Sequence, residues 1–136
     1  MLMKNTNKGE MIMEAVIHKV GQIGVPVNDL KRAITFYQEK LRLNLLFQTG
    51  NMAFFECNGL RLLLDLPENE ASAHPSSVIY FQVEDIQKAH QEMAGRGVSF
   101  ISAPHLIARM GQRETWMAFF TDTEGNTHAL MSELDV

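Results

Sequence analysis

The stretch VNDLKRA at residues 27–33 recurs in character as VEDIQKA at residues 83–89, an offset of 56 positions from Val27 to Val83. In both copies a valine ends an apolar run, and one of the next two residues, Asn28-Asp29 or Glu84-Asp85, can cap a helix by accepting backbone N–H bonds. The next apolar residues recur every three or four positions, which is typical of an amphipathic helix. The recurrence predicts an internal duplication, each copy holding a strand followed by a helix.

The flanking sequence extends each copy into a longer unit. In the first, residues 20–27 predict a strand, residues 30–41 a helix, and the runs LNLLFQ (43–48), MAFFEC (52–57) and LRLLLDL (60–66) three more strands. Turn residues at 49–51 and an Asn-Gly pair at 58–59 separate these runs. In the second, strands are predicted at 78–83, 98–101, 115–121 and 126–132, with a helix over 86–97. The stretch PHLIARMGQRE (104–114) is interpreted as a long loop.

The predicted organisation is one domain with a tail. Residues 1–13 are interpreted as a flexible N-terminal tail and residues 14–136 as a single domain. Its repeats span about 16–66 and 77–133, joined by a polar linker with two prolines. Neither repeat can bury a sheet face alone. The predicted fold class is therefore α+β, with two βαβββ repeats forming a curved mixed sheet around a shared cleft.

Charge and cysteine content exclude several classes of protein. The 136 residues carry a formal net charge of -4, which supplies no basic surface for nucleic acid. No apolar run approaches the length of a membrane span or a signal peptide. Cys57 is the only cysteine, so no intramolecular disulfide can form. We expect a cytoplasmic protein without nucleic-acid or membrane partners.

Two motifs resemble a known family. The pattern V-x-D-L-x-x-A-I-x-F-Y at residues 27–37 and the pattern F-x-D-x-x-G-N at residues 120–126 are similar to those of the vicinal-oxygen-chelate superfamily. That superfamily contains glyoxalases, dioxygenases and bleomycin-resistance proteins. The resemblance covers residues 16–133, with Thr123 in place of the usual proline. It implies the duplicated fold above and a homodimer whose clefts lie at or near the interface.

The resemblance also implies four metal-ligand positions, on the first and last strand of each repeat. They fall on Gln22, on Asp65 or Leu63 depending on the strand register, on Val78 and on Ala129. Val78 and Ala129 cannot coordinate metal, so only Gln22 and Asp65 remain as weak ligand candidates. The neighbouring His128 points to the opposite face unless a bulge turns it. We therefore expect no cofactor, with a divalent metal as the open alternative.

The remaining candidates are cleft residues. Tyr80 and Gln82 share the strand parity of Val78, Arg109 lies in the predicted loop, and Trp116 and Phe119 lie on one aromatic strand. The sequence does not say which alternating set of that strand faces the cleft, and core packing is the competing interpretation. The predicted ligand-binding cleft contains Gln22, Tyr80, Gln82, Arg109, Trp116, Phe119 and Ala129.

The functional prediction is a small-molecule binding protein of the glyoxalase/bleomycin-resistance type. Without a complete metal site it would sequester a drug or metabolite, as the bleomycin-resistance branch does without chemistry. The alternative is an enzyme, a glyoxalase-like lyase or a transferase whose metal site is degraded or relocated. A third alternative is an interaction module whose cleft is filled by its own side chains. No catalytic residue is assigned, and the balance favours binding over catalysis.

Overall fold

The structure is a computed structural model that describes residues 3–5, 11–13, 16–67 and 75–136. The described elements, in chain order, are β1 Met3–Asn5, β2 Met11–Met13, β3 Gln22–Pro26, α1 Leu30–Thr35, a π-helical turn Phe36–Lys40, β4 Asn44–Gln48, β5 Met52–Cys57, β6 Leu60–Asp65, β7 Tyr80–Gln82, α2 Ile86–Gly95, β8 Ser99–Phe100, β9 His105–Met110, β10 Arg113–Thr121 and β11 Thr127–Asp135. No helix among these is long and apolar enough to cross a bilayer.

Each repeat builds its own mixed sheet. The first has the strand order β3-β6-β5-β4, and the second has the order β7-β11-β10-β8 with β9 also paired to β10. In both repeats the first and last strands are parallel neighbours, β3 with β6 and β7 with β11, while the other pairs are antiparallel. The predicted α+β class and duplicated unit are confirmed, with two sheets in place of one continuous sheet.

The two helices begin in the same way, as the recurring motif predicts. The Asp29 side chain accepts a hydrogen bond from the backbone N–H of Arg32 at 3.1 Å. The Asp85 side chain accepts one from the backbone N–H of Lys88, also at 3.1 Å. Each Asp thus satisfies one of the donors that the first turn of a helix leaves unpaired. Arg32 and Lys88 therefore occupy equivalent positions in the two repeats.

The stretch 104–114 is a hairpin, which corrects its interpretation as a loop. Strand β9 pairs with a β10 that begins earlier than predicted, and the chain turns at Gly111, whose φ is +62°. All six residues of β9 are exposed. The strand is held by backbone pairing to β10. Because neither of its faces is buried, its sequence does not alternate between apolar and polar residues, and the strand could not be predicted from that pattern.

The expected N-terminal tail falls mostly outside the described residues. Within it, β1 and β2 pair antiparallel as a two-stranded ribbon, which differs from the predicted tail. Its flexibility is untested.

One hydrophobic core joins the two repeats. Buried residues of the first, such as Phe55 and Leu62, form a single cluster with buried residues of the second, such as Phe120 and Leu130. Helix α1 packs on β5 and β6, and α2 packs on β10 and β11. Both sheets therefore turn one face toward the helices, and we call the other side of each sheet the open face.

Polar contacts reinforce the junction between repeats. The Glu124 carboxylate accepts hydrogen bonds from the backbone N–H groups of Asn28 (2.8 Å) and Asp29 (3.1 Å), at the start of α1. Farther along, Lys40 Nζ donates to the carbonyl of Arg96 (2.8 Å), and Arg96 Nε donates to the carbonyl of Lys40 (3.0 Å). These reciprocal bonds tie the π-helical turn to the end of α2.

Candidate functional site

The open face of the first sheet carries Gln22 and Arg61, which are register partners. Alternate residues of the same strands, including Val25 and Leu62, are buried in the core, so Gln22 and Arg61 point the other way. A Cβ added at Gly24, the next open-face position of β3, would meet no atom within 4 Å. The face is uncovered at this point.

Aromatic rings extend this face. The Arg61 guanidinium carbon lies 5.8 Å from the centre of the Phe54 ring, a cation–π distance. The ring of Phe47 stacks on Phe54 with centres 4.5 Å apart, and Phe47 is 53% exposed. Phe47 reaches this face because the β4–β5 register shifts between Leu45 and Phe47, and such a bulge re-aims the following side chain. The sequence analysis did not identify Phe47 as a candidate. The run Leu45-Leu46-Phe47, in which apolar residues do not alternate with polar ones, was the available sign of a bulge.

The open face of the second sheet carries Tyr80, Gln82 and Phe119. Tyr80 is 49% exposed, and its ring meets that of Phe119 edge-on with centres 6.5 Å apart. Ala129 pairs in register with both Tyr80 and Phe119 and is fully buried between them. The structure thus brings Tyr80, Phe119 and Ala129 together, with Gln82 at the next position of the same face, two residues along β7. Whether they bind a ligand stays a prediction.

Trp116 and Arg109 lie on the other side of this sheet, which corrects their expected place in the cleft. Trp116 packs against the core, because it is three residues from Phe119 and strand side chains alternate. Its Nε1 donates to Glu114 Oε1 at 3.2 Å, and Arg109 forms an ion pair with the same carboxylate. The hydrogen bond from Arg109 holds the pKa of Glu114 below its usual value. The Arg109 side chain therefore pairs with Glu114 and does not point into the predicted cleft.

Strand register settles which residue of β6 occupies the family's ligand position. The backbone N–H of Val27 donates to the carbonyl of Asp65 (3.0 Å), and the equivalent Val83 N–H donates to the carbonyl of Met131 (2.8 Å). Asp65 is therefore the counterpart of Met131. Two residues earlier, Leu63 is the counterpart of Ala129.

The four positions implied by the resemblance thus hold Gln22, Leu63, Val78 and Ala129, which do not fit a divalent ion. Asp65 shares the open face with Gln22, but it pairs with Pro26, four residues farther along, or about 13 Å at the usual rise of a strand. Among the described residues, no three His, Cys, Asp or Glu side chains group closely enough to hold a metal.

His128 belongs to a buried network in the core. The β10–β11 register has no shift at His128, whose side chain is fully buried, so the bulge that could have turned it to the open face is absent from this pair. Its Nε2 lies 2.9 Å from the Tyr37 hydroxyl, which donates to Asp122 Oδ2 at 2.6 Å. Burial raises the pKa of Tyr37, with a further contribution from the Asp122 charge. The three side chains link α1 and its continuation to the second sheet.

Comparisons with known proteins agree with this architecture. The sequence model of the Glyoxalase/Bleomycin resistance protein/Dioxygenase superfamily matches residues 19–130. The chain is 26% identical over 125 residues to the uncharacterized protein YraH of Bacillus subtilis (strain 168), covering 79% of this chain and 93% of that one. It is 24% identical over 129 residues to the metallothiol transferase FosB of Lysinibacillus sphaericus (strain C3-41), covering 88% and 89%.

A solved structure shares the fold. The crystal structure of a member of the same superfamily from Sphaerobacter thermophilus DSM 20745 superposes with a TM-score of 0.70 at 23% identity, covering 87% of this chain and 99% of that one. At this identity the likeness shows the fold alone.

Proposed function

Because the chain belongs to the Glyoxalase/Bleomycin resistance protein/Dioxygenase superfamily, we propose that it binds a small apolar or aromatic molecule on its open face without a complete metal site. The observation that carries this proposal is which residues occupy the family's four metal-ligand positions. Leu63, Val78 and Ala129 offer only hydrocarbon, and Gln22 offers one amide oxygen. A hard divalent ion requires several oxygen or imidazole ligands.

The open face has the chemistry of an aromatic binding surface. Two ring pairs, Phe47 with Phe54 and Tyr80 with Phe119, provide flat apolar area, and such rings dominate the binding energy of apolar ligands. Gln22, Gln82 and Arg61 supply polar groups that would orient a ligand. In this proposal the protein sequesters its ligand without chemistry, as the sequence analysis expects.

A thermal-shift screen of aromatic and cationic drugs, including bleomycin, tests this proposal. A ligand at 100 times its dissociation constant adds about 2.7 kcal/mol of stability. For a compound that shifts the melting temperature, Phe119→Ala should weaken binding by about tenfold or more, since burying a Phe is worth roughly 1.5–3 kcal/mol. The control is Leu134→Ala, an exposed leucine paired with Glu114 on the Trp116 side of the sheet. No shift across the library, or equal weakening by both variants, would refute the proposal.

The enzyme alternative draws support from the likeness to FosB, named as a metallothiol transferase. Calorimetric titration with nickel, zinc and manganese separates the two classes. We expect no near-stoichiometric binding. Near-stoichiometric binding that Gln22→Leu abolishes would overturn the proposed function and favour a metal-dependent transferase or lyase.

A homodimer is part of the same proposal. Large apolar side chains on and beside the open face are exposed in the single chain, among them Leu46 at 44%, and exposed apolar patches commonly mark interfaces. A second copy would close a cleft over them, in keeping with the family resemblance. Light scattering coupled to size-exclusion chromatography should give twice the mass of one chain, and a monomer at micromolar concentration would contradict it. A cytoplasmic location remains our expectation.

A further inference from the structure

A cavity of about 570 Å³ lies between α1 with its π-helical turn and the second repeat. Side chains of both repeats line it, including Lys31, Arg32 and Lys40 from the first and Ser99, Thr121 and Thr123 from the second. It shares none of the residues proposed above for the open face. A ligand held here would contact both halves of the duplicated fold.

The cavity is bordered by cations that lack counter-charges. None of the ion pairs formed among the described residues uses the side chain of Lys31 or Arg32. The ammonium group of Lys40 donates one hydrogen bond to the carbonyl of Arg96. This carbonyl carries no charge, and the ammonium group keeps two N–H donors available. Three positive charges therefore line one wall.

The two carboxylates at the cavity, Asp29 and Asp122, are already engaged. Asp29 caps α1 through the N–H of Arg32. The Asp122 oxygens accept four hydrogen bonds, from Glu124 N, Asn126 N, Asn126 Nδ2 and the Tyr37 hydroxyl. With three cations against two carboxylates, the lining carries a net positive charge. The N–H groups of Asn28 and Asp29, just before the helix, donate to Glu124, and that of Arg32 donates to Asp29. The cationic side chains would therefore be the main anchor for an anion.

A lining residue of the cavity carries a hydroxyl group that makes no hydrogen bond. Thr123 Oγ1 is buried and makes no hydrogen bond, and a buried polar atom of this kind is commonly satisfied by a bound water or ion. The hydroxyls of Ser99 and Thr121 stand in the same lining. Hydroxyl donors interspersed with ammonium and guanidinium groups suit a tetrahedral oxyanion, whose several oxygens can each take a separate donor.

We propose that this cavity binds a small molecule carrying linked phosphates. Arg32 and Lys40 are eight residues apart, or about 12 Å along a helix axis, so each can engage a separate phosphate group of one ligand. A diphosphate group lies within reach of both long side chains. The π-helical turn contributes both Phe36 and Lys40 to the lining, and π-helical turns inside α-helices are frequent at functional sites.

Calorimetric titration with inorganic pyrophosphate at constant ionic strength tests the proposal. Arg32→Gln should weaken binding by about tenfold, because hydrogen bonds between charged groups are the strong ones. The matched control is Lys88→Gln, which removes one charge at the equivalent position of α2 and should stay within about twofold of the wild type. Thr123→Val should weaken binding while leaving the melting temperature unchanged or higher, because it removes an unsatisfied buried hydroxyl.

Three results would overturn the proposal. One is the absence of pyrophosphate binding at millimolar concentration beyond what sodium chloride of equal ionic strength produces. Another is equal weakening by Arg32→Gln and Lys88→Gln, which would reduce the effect to net charge. A third is equal binding of citrate, which would replace the phosphate class by carboxylates. All of these readouts are independent of the open face, so they leave the proposed function untouched.

Discussion

Acidification should destabilise this protein through His128. The His128 Nδ1 accepts a hydrogen bond from the backbone N–H of Ile79 at 3.3 Å, and a ring nitrogen that accepts carries no proton. The ring is therefore neutral, with its proton on Nε2 toward the Tyr37 hydroxyl. Burial lowers the pKa of His128, and the nearby Asp122 charge opposes this only in part. Protonation would break the bond to Ile79 and place a charge in the core.

The sign and size of the effect follow from proton linkage. An unfolded histidine has a pKa of about 6.5. Below that pH, His128 is protonated in the unfolded chain but not in the folded chain. The free energy of unfolding therefore falls as the pH falls. The loss between pH 6.5 and pH 5.5 is at most about 1 kcal/mol, the value for a folded chain that binds no proton in this range. It then approaches about 1.4 kcal/mol per pH unit until the folded-state pKa is reached.

Urea denaturation between pH 7.5 and pH 5.0 measures this. His128→Gln keeps an acceptor for the Ile79 N–H but cannot titrate. It should be less stable than the wild type at pH 7.5, and the difference should shrink, by at most about 1 kcal/mol, from pH 6.5 to pH 5.5. His18→Gln, an exposed histidine, is the control and should run parallel to the wild type. If the His128→Gln curve also ran parallel, the assignment of a neutral buried ring would be refuted.

Two further changes test the junction between the repeats. Tyr37→Phe removes a donor from the buried Asp122 carboxylate and should cost about 1–3 kcal/mol in urea denaturation; a loss below 0.5 kcal/mol would contradict a buried network. Gly97→Ala should lower the melting temperature, because the φ of Gly97 is +92° and an added Cβ would lie 2.8 Å from Lys40 Nζ. The control is Gly95→Ala, at a helical glycine where an added Cβ would meet no atom within 4 Å. It should leave the stability unchanged or raise it by up to about 1 kcal/mol. Equal losses in the two variants would show that neither the positive φ of Gly97 nor its closeness to Lys40 matters.

The sequence was informative wherever structure is determined locally. The capped starts of both helices and the shared parity of Tyr80 and Gln82 follow from spacing along one segment. The structure has Asp29 and Asp85 as the caps and both Tyr80 and Gln82 exposed. The parity that kept His128 off the open face holds for the same reason. These features depend on neighbours within a few residues, which the sequence displays directly.

The sequence was uninformative where distant strands decide the outcome. Whether Asp65 or Leu63 takes the family's ligand position depends on how β6 registers against β3, and that pairing is set across the sheet. The bulge that turns Phe47 outward depends on its partner strand β5 in the same way. Trp116 was misplaced because a long, nearly continuous apolar strand gives no sign of which alternate set is covered by a helix.

The buried network of Tyr37, Asp122 and His128 makes the two halves of this duplicated chain complementary and not interchangeable. The helix position equivalent to Tyr37 in the second repeat is Met93, and the strand position equivalent to His128 in the first is Leu62. Two first halves would place a tyrosine hydroxyl against leucine, and two second halves would bury a histidine opposite methionine. We therefore expect that separately expressed halves would reassociate with each other more stably than either would associate with a second copy of itself.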